Sequence, residues 1–130
     1  MTVVVDANVI FEVVSLRDGF RRLGDDEAVA PPLLWPEVRS ALHVARDRGL
    51  LDEEDAKLAL DALHSGPLRE RRHKALGEEA WRIADRLGWS KTYDAEYLAL
   101  ASLLDAPVAS FDRRVLRAAE VLSIPTHSLR

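Results

Sequence analysis

Apolar residues fall along this chain in two rhythms, and their alternation sets the fold class. Val3, Val4 and Val5 form a β-branched run that stops at Asp6, the pattern of a strand buried on both faces. From Asn8 to about Leu16 the spacing is helical, and Gly19 and Gly24 punctuate the next segment as far as Pro31-Pro32. Leu34, Val38, Ala41, Leu42 and Ala45 then recur at helical intervals until Gly49, which predicts a helix over residues 33–48. The acidic run Asp52-Glu53-Glu54-Asp55 suits the positive end of a helix dipole and opens a helix from Ala56 to Leu63. Residues 68–72 are ambiguous and admit a short strand. A helix from Ala75 to Leu87 closes at Gly88, and a helix from Ala95 to Leu104 is apolar almost all round, the mark of a buried one. A strand from Val108 to Phe111 ends at Asp112, a helix runs from Arg113 to Leu122, and residues 125–129 are a candidate last strand. Strands alternating with helices predict an α/β fold with a central, mainly parallel sheet.

At 130 residues the chain is the length of one domain. No apolar run reaches the roughly 20 residues that span a bilayer, and the N-terminus has no signal-peptide pattern, so a cytoplasmic location is expected. The absence of cysteine excludes disulfides, thiolate metal sites and a cysteine nucleophile. With 22 acidic and 18 basic residues the net charge is −4, which excludes a protein that coats nucleic acid by charge alone. The charge is uneven. Residues 1–65 carry 7 basic and 13 acidic side chains, a net −6, whereas residues 66–130 carry 11 and 9, a net +2.

Four acidic residues stand apart from the solvated ones. Asp6 and Asp112 each follow a strand and precede a helix, the place where parallel sheets bind ligands. Asp94 opens the most apolar helix, and Glu37 sits early in an otherwise apolar one. Singly, each Asp has a simpler reading as a helix cap and Glu37 as a rim charge. Jointly, four carboxylates at one sheet edge repel one another unless a cation lies among them, and oxygen donors without cysteine favour Mg²⁺ or Mn²⁺. Such an ion activates water and neutralises a phosphoryl group. No phosphate-binding loop, dinucleotide fingerprint or serine-hydrolase elbow is present.

The segments Val4-Val5-Asp6-Ala7-Asn8, Glu37-Val38 with Leu42, Thr92-Tyr93-Asp94-Ala95-Glu96-Tyr97 and Ser110-Phe111-Asp112-Arg113-Arg114 resemble, in order and spacing, the four acidic blocks of PIN-domain ribonucleases, VapC toxins in particular. The resemblance runs from Val3 to about Leu129. It implies a three-layer α/β/α domain, dimerisation, Mg²⁺- or Mn²⁺-dependent cleavage of RNA (tRNA or rRNA in many relatives) and inhibition by a VapB-like antitoxin. Asp6, Glu37, Asp94 and Asp112 match the acidic quartet. Asn8 and Ser110 fall at polar positions beside it, and Arg113 and Arg114 are candidate phosphate contacts with Arg117 close by. Pro36 and the basic stretch Arg69–Lys74 depart from the pattern. Three rivals compete with this reading: a catalytically silent PIN-like binding module, a dehalogenase-type phosphatase and a receiver domain. The phosphatase needs a second Asp where Asn8 stands, and the receiver domain needs its phosphorylated Asp in mid-chain.

Overall fold

A computed structural model describes residues 1–129. Four parallel strands form one sheet in the order β3-β2-β1-β4, where β1 is Thr2–Val5, β2 Glu27–Ala30, β3 Leu68–Glu70 and β4 Val108–Ala109. Six α-helices connect and cover them: α1 Ala7–Ser15, α2 Leu34–Asp47, α3 Glu53–Ser65, α4 Leu76–Leu87, α5 Tyr93–Leu104 and α6 Arg113–Val121.

The strand order explains the layers. From β1 the chain steps outward to β2 and then β3, with α1 in the first crossover and α2 and α3 in the second. It then returns across the sheet through α4 and α5 to β4 on the far side of β1. Parallel crossovers are right-handed, so reversing the direction of travel moves the covering helices to the opposite face. Accordingly α1, α2 and α3 pack on one another, and α4 packs on α5. The β1–β4 junction is the point where the strand order reverses, and in open parallel sheets ligands bind outside the carboxyl ends of the strands there.

Val3, Val4 and Val5 are buried with Val9, Ile10, Val29, Leu34, Leu98 and Leu100 in one continuous core. Burial of α5 on every side accounts for its lack of a polar face. Among the described residues, no helix is long and apolar enough to cross a membrane.

Four readings of the sequence are revised. β2 lies in the segment read only as punctuated by glycines, where a 3-10 turn, Gly19–Leu23, precedes it. Its residues Glu27-Ala28-Val29-Ala30 carry one β-branched side chain between two alanines, too weak a local signal, and pairing with β1 and β3 makes them a strand. The strand expected over Val108–Phe111 spans only Val108–Ala109, since Ser110 turns its side chain toward Asp6 and Phe111 is exposed. The last strand reduces to a single parallel bridge from Val108 to Thr126. The helix predicted over Ala56–Leu63 extends over Glu53–Ser65, with Asp52 accepting a capping bond from the Asp55 amide. Pro36 falls in the first turn of α2, where a missing N–H breaks no helical bond. The basic stretch is partly neutralised, Arg69 by Glu27 and Arg72 by Glu70.

Candidate active site

Asp6 is the centre of a buried polar network at the β1–β4 junction. One carboxylate oxygen, Oδ1, accepts the Ala7 amide at 2.8 Å and so caps α1. The other, Oδ2, accepts the Ser110 hydroxyl at 2.7 Å and the Asn8 Nδ2 at 3.1 Å. The Ser110 hydroxyl in turn accepts the Asp112 amide at 3.0 Å, and the Asn8 Oδ1 accepts the Phe111 amide at 2.9 Å. Asn8 and Ser110, placed beside the quartet by sequence, therefore tie the end of β1 to the turn after β4. Asp6 is only 4% exposed, and this burial, reinforced by the nearby charges of Asp94 and Glu37, pushes its carboxyl up to about 6; the Ser110 and Ala7 bonds oppose the rise.

Glu37 lies in the first turns of α2, half-buried, and its Oε1 accepts the Tyr97 hydroxyl from the middle of α5. Burial holds its carboxyl above the usual range, and Asp94 and Glu96 add to the rise. The acidic pattern of the sequence gives Tyr97 no role. The missed signal is a tyrosine in a helix apolar on every side, because a buried phenol hydroxyl needs a partner. That hydroxyl is itself driven above its usual range by burial and the Glu37 bond.

Asp94 is the second residue of α5, and Thr92 occupies the cap position, so the cap reading of Asp94 does not hold. Its carboxyl is raised by burial and by Asp112, and lowered by Arg114, whose guanidinium stands 3.6 Å away. Asp112 caps α6 through the Arg114 amide at 2.8 Å. The cap reading of Asp112 is therefore correct, and it coexists with a place beside Asp94. Arg113 lies elsewhere, lining a groove with Ile124 and Thr126.

The four carboxylates thus form a connected electrostatic set. Asp6 senses Asp94 and Glu37, Glu37 senses Asp94, and Asp94 senses Asp112. Among the described residues, no three His or carboxylate side chains are drawn close enough to make a finished ion cage. The sequence expectation of converging carboxylates is refined accordingly: they share one edge but stand apart, and Arg114 balances part of their charge. The donor chemistry still suits a hard divalent cation. All four are oxygen donors, and three are raised by burial and by one another, the condition a bound cation relieves.

The family model described as PIN domain matches residues 3–121. The chain belongs to the PIN-domain family. Curated relatives include Ribonuclease VapC1 of two Mycobacterium tuberculosis strains, CDC 1551 / Oshkosh and H37Rv, each 38% identical over 90 residues. That alignment covers 68% of this chain and 65% of the relatives' own length. Among solved structures, this PIN domain is similar to PAE2754 from Pyrobaculum aerophilum, with a TM-score of 0.71 and 21% identity over 91% of this chain and 87% of that one. It is also similar to VapBC2 from Rickettsia felis bound to a DNA fragment from their promoter, with a TM-score of 0.71 and 10% identity over 100% of each chain. The third, FitAcB from Neisseria gonorrhoeae, gives a TM-score of 0.65 and 16% identity over 97% and 96%. These likenesses establish the three-layer α/β/α fold.

Proposed function

We propose that this PIN domain is a divalent-metal-dependent endoribonuclease, the VapC-type toxin of a toxin–antitoxin pair. The observation that carries the reading is the coincidence of PIN membership with four carboxylates on one edge of the sheet, at the point where its strand order reverses.

In this reading Asp6, Asp94 and Asp112 would hold one or two Mg²⁺ or Mn²⁺ ions, and Glu37 would complete the set. When bound, the ion supplies an activated water and charge neutralisation at a phosphodiester. The remaining work belongs to the chain. The Ser110 and Asn8 donors fix the Asp6 carboxylate with one oxygen committed to α1, which holds its orientation before any ligand arrives. The Tyr97 hydroxyl pins Glu37 through one oxygen and leaves the other for a water or an ion. Arg114 balances the charge of Asp94 from 3.6 Å and would offer its guanidinium to a substrate phosphate at that carboxylate.

A VapB-like antitoxin is the expected regulatory partner. A mainly apolar groove of about 590 Å³ between α1 and α2, with Phe11, Val38, Ala41, Val44 and Leu50 in its lining, leads to Asn8 and Glu37 and suits an antitoxin tail. We also expect a homodimer and a cytoplasmic location. A silent PIN-like module would keep the fold without the chemistry.

The test is cleavage of structured RNAs, tRNA and rRNA among them, by the purified chain with Mn²⁺, with mapping of the new RNA ends. Asp6→Asn and Asp94→Asn should each lower cleavage by more than about a hundredfold, beyond the roughly 10–100-fold typical of residues that only support a metal ligand. Undiminished cleavage by these variants, or cleavage that survives EDTA, overturns the reading.

A further inference from the structure

The chain turns from α4 to α5 through a closed helix end. Gly88 takes a left-handed conformation (φ 70°), its amide donates to the Asp85 carbonyl, and the Trp89 amide donates to the Ala84 carbonyl at 2.9 Å. This double closure fixes where Trp89 emerges. Its ring carries the Arg114 guanidinium, with Cζ 4.2 Å from the ring centroid, and the same guanidinium reaches Asp94. A cleft of about 420 Å³ opens beside this stack, lined by Leu87, Trp89, Arg114, Arg117, Ala118 and Val121. That volume lies in the range of ligand sites. Arg86 bonds to the Val121 carbonyl and so joins the ends of α4 and α6 along the cleft. Leu87 and Ala118 supply an apolar lining, Trp89 an aromatic face, and Arg114 and Arg117 two cations.

We infer that this cleft is a nucleotide subsite: an unpaired base of an RNA strand stacks on the half-exposed Arg114 guanidinium that Trp89 carries, while Arg117 holds an adjoining phosphate. Aromatic faces and guanidinium planes are the groups on which splayed-out bases stack, and fixed cations along such a face follow the backbone. Arg114 joins the cleft to the acidic centre, so a base seated on this guanidinium places its phosphates next to Asp94 and Asp112. Arg114 and Arg117 stand one turn apart on an exposed face of α6. An acidic peptide would satisfy the arginines but bring no planar base to the guanidinium–indole stack, which favours RNA as the occupant. The inference rests on the ribonuclease reading for its substrate class.

The experiment uses the full chain carrying Asp6→Asn, in Mg²⁺, titrated with short single-stranded RNA oligonucleotides. Binding should quench tryptophan fluorescence, and Trp89→Phe should remove most of the quench although Trp35 and Trp81 remain. Trp89→Ala should weaken binding roughly 5- to 150-fold, the span of one lost base stack, with Trp89→Phe restoring much of it. Arg117 is exposed, so Arg117→Ala folds. It should lower the slope of log affinity against log salt by about 0.7, one phosphate contact on a single strand, and Arg117→Lys should restore the slope. Equal RNA affinity for Trp89→Ala and its parent, an unchanged salt slope in Arg117→Ala, or equal quenching by a polyglutamate peptide overturns the subsite. The two readings separate cleanly. RNA cleavage by the unmutated chain without Trp89-dependent binding removes the subsite alone. Trp89-dependent binding without cleavage removes the nuclease alone.

Discussion

The two sides of the acidic centre are built differently. Around Asp6 the polar contacts interlock within 2.7–3.1 Å: one nearly buried carboxylate meets Ala7, Asn8 and Ser110, and Ser110 passes the network on to Asp112. Around Asp94 the structure offers one ion pair at 3.6 Å, with Asp94 35% and Arg114 54% exposed, and a guanidinium resting on Trp89. The first side is fixed at the cost of burying a charge. The second keeps its charge balanced by a group that can leave at little cost. A site that must exchange ligands while keeping its geometry needs both kinds of wall.

This contrast has measurable consequences, and the largest concerns Asp6 itself. Its carboxyl titrates at about 6 in the folded chain against 3.8 for an unperturbed aspartate. Between those values the folded state binds the proton more tightly than the unfolded state. Stability therefore falls as pH rises from about 4 to about 6 and stays lower above. Asp6→Asn removes the titration, so in EDTA the stability of the variant relative to the parent should shift in the variant's favour by on the order of 2–3 kcal/mol between pH 4 and pH 7.5, on top of a pH-independent loss because Asn offers one accepting oxygen where Asp6 offers two. Urea melts at both pH values check it; a difference that does not change with pH breaks the contrast.

Ser110→Ala should act in the opposite sense. Losing a bond to a charged acceptor costs about 2 kcal/mol, mostly at pH 8, and less once Asp6 is protonated. The same melts decide it. Gly88→Ala, which places a side chain at positive φ with open space around it, should cost about 1 kcal/mol through backbone strain alone. Arg114→Ala should change stability by less than about 1 kcal/mol, as befits a half-exposed ion pair. A larger loss there would show that the Asp94 side is as rigid as the Asp6 side.

Much of this was legible from residues alone, for reasons that differ from element to element. The triple valine of β1 is unambiguous because a strand between two neighbours is apolar on both faces. Asp6 and Asp112 were placed at strand ends because an acidic residue closes each apolar run. β2 was invisible because alanine carries little strand signal and only its neighbours make a strand of it. The shortness of β4 was hidden because Ser110 leaves the ladder for a partner 104 positions away, which no local pattern encodes. Arg114 was singled out as a phosphate contact, but its stacking on Trp89 depends on how α4 ends and α6 begins, two segments that only the fold brings together.

The long reach of the Asp6–Ser110 bond also sets an order of events during synthesis. Asp6 is made almost at once, but its partner comes 104 residues later, and β1 waits as long for β4. At roughly 5–20 residues per second, a nascent chain spends on the order of 5–20 s without the β1–β4 junction. Throughout that interval the acidic edge lacks its fourth carboxylate, Asp112, and the hydroxyl that anchors its first. The four carboxylates therefore come together only after Asp112 has been made.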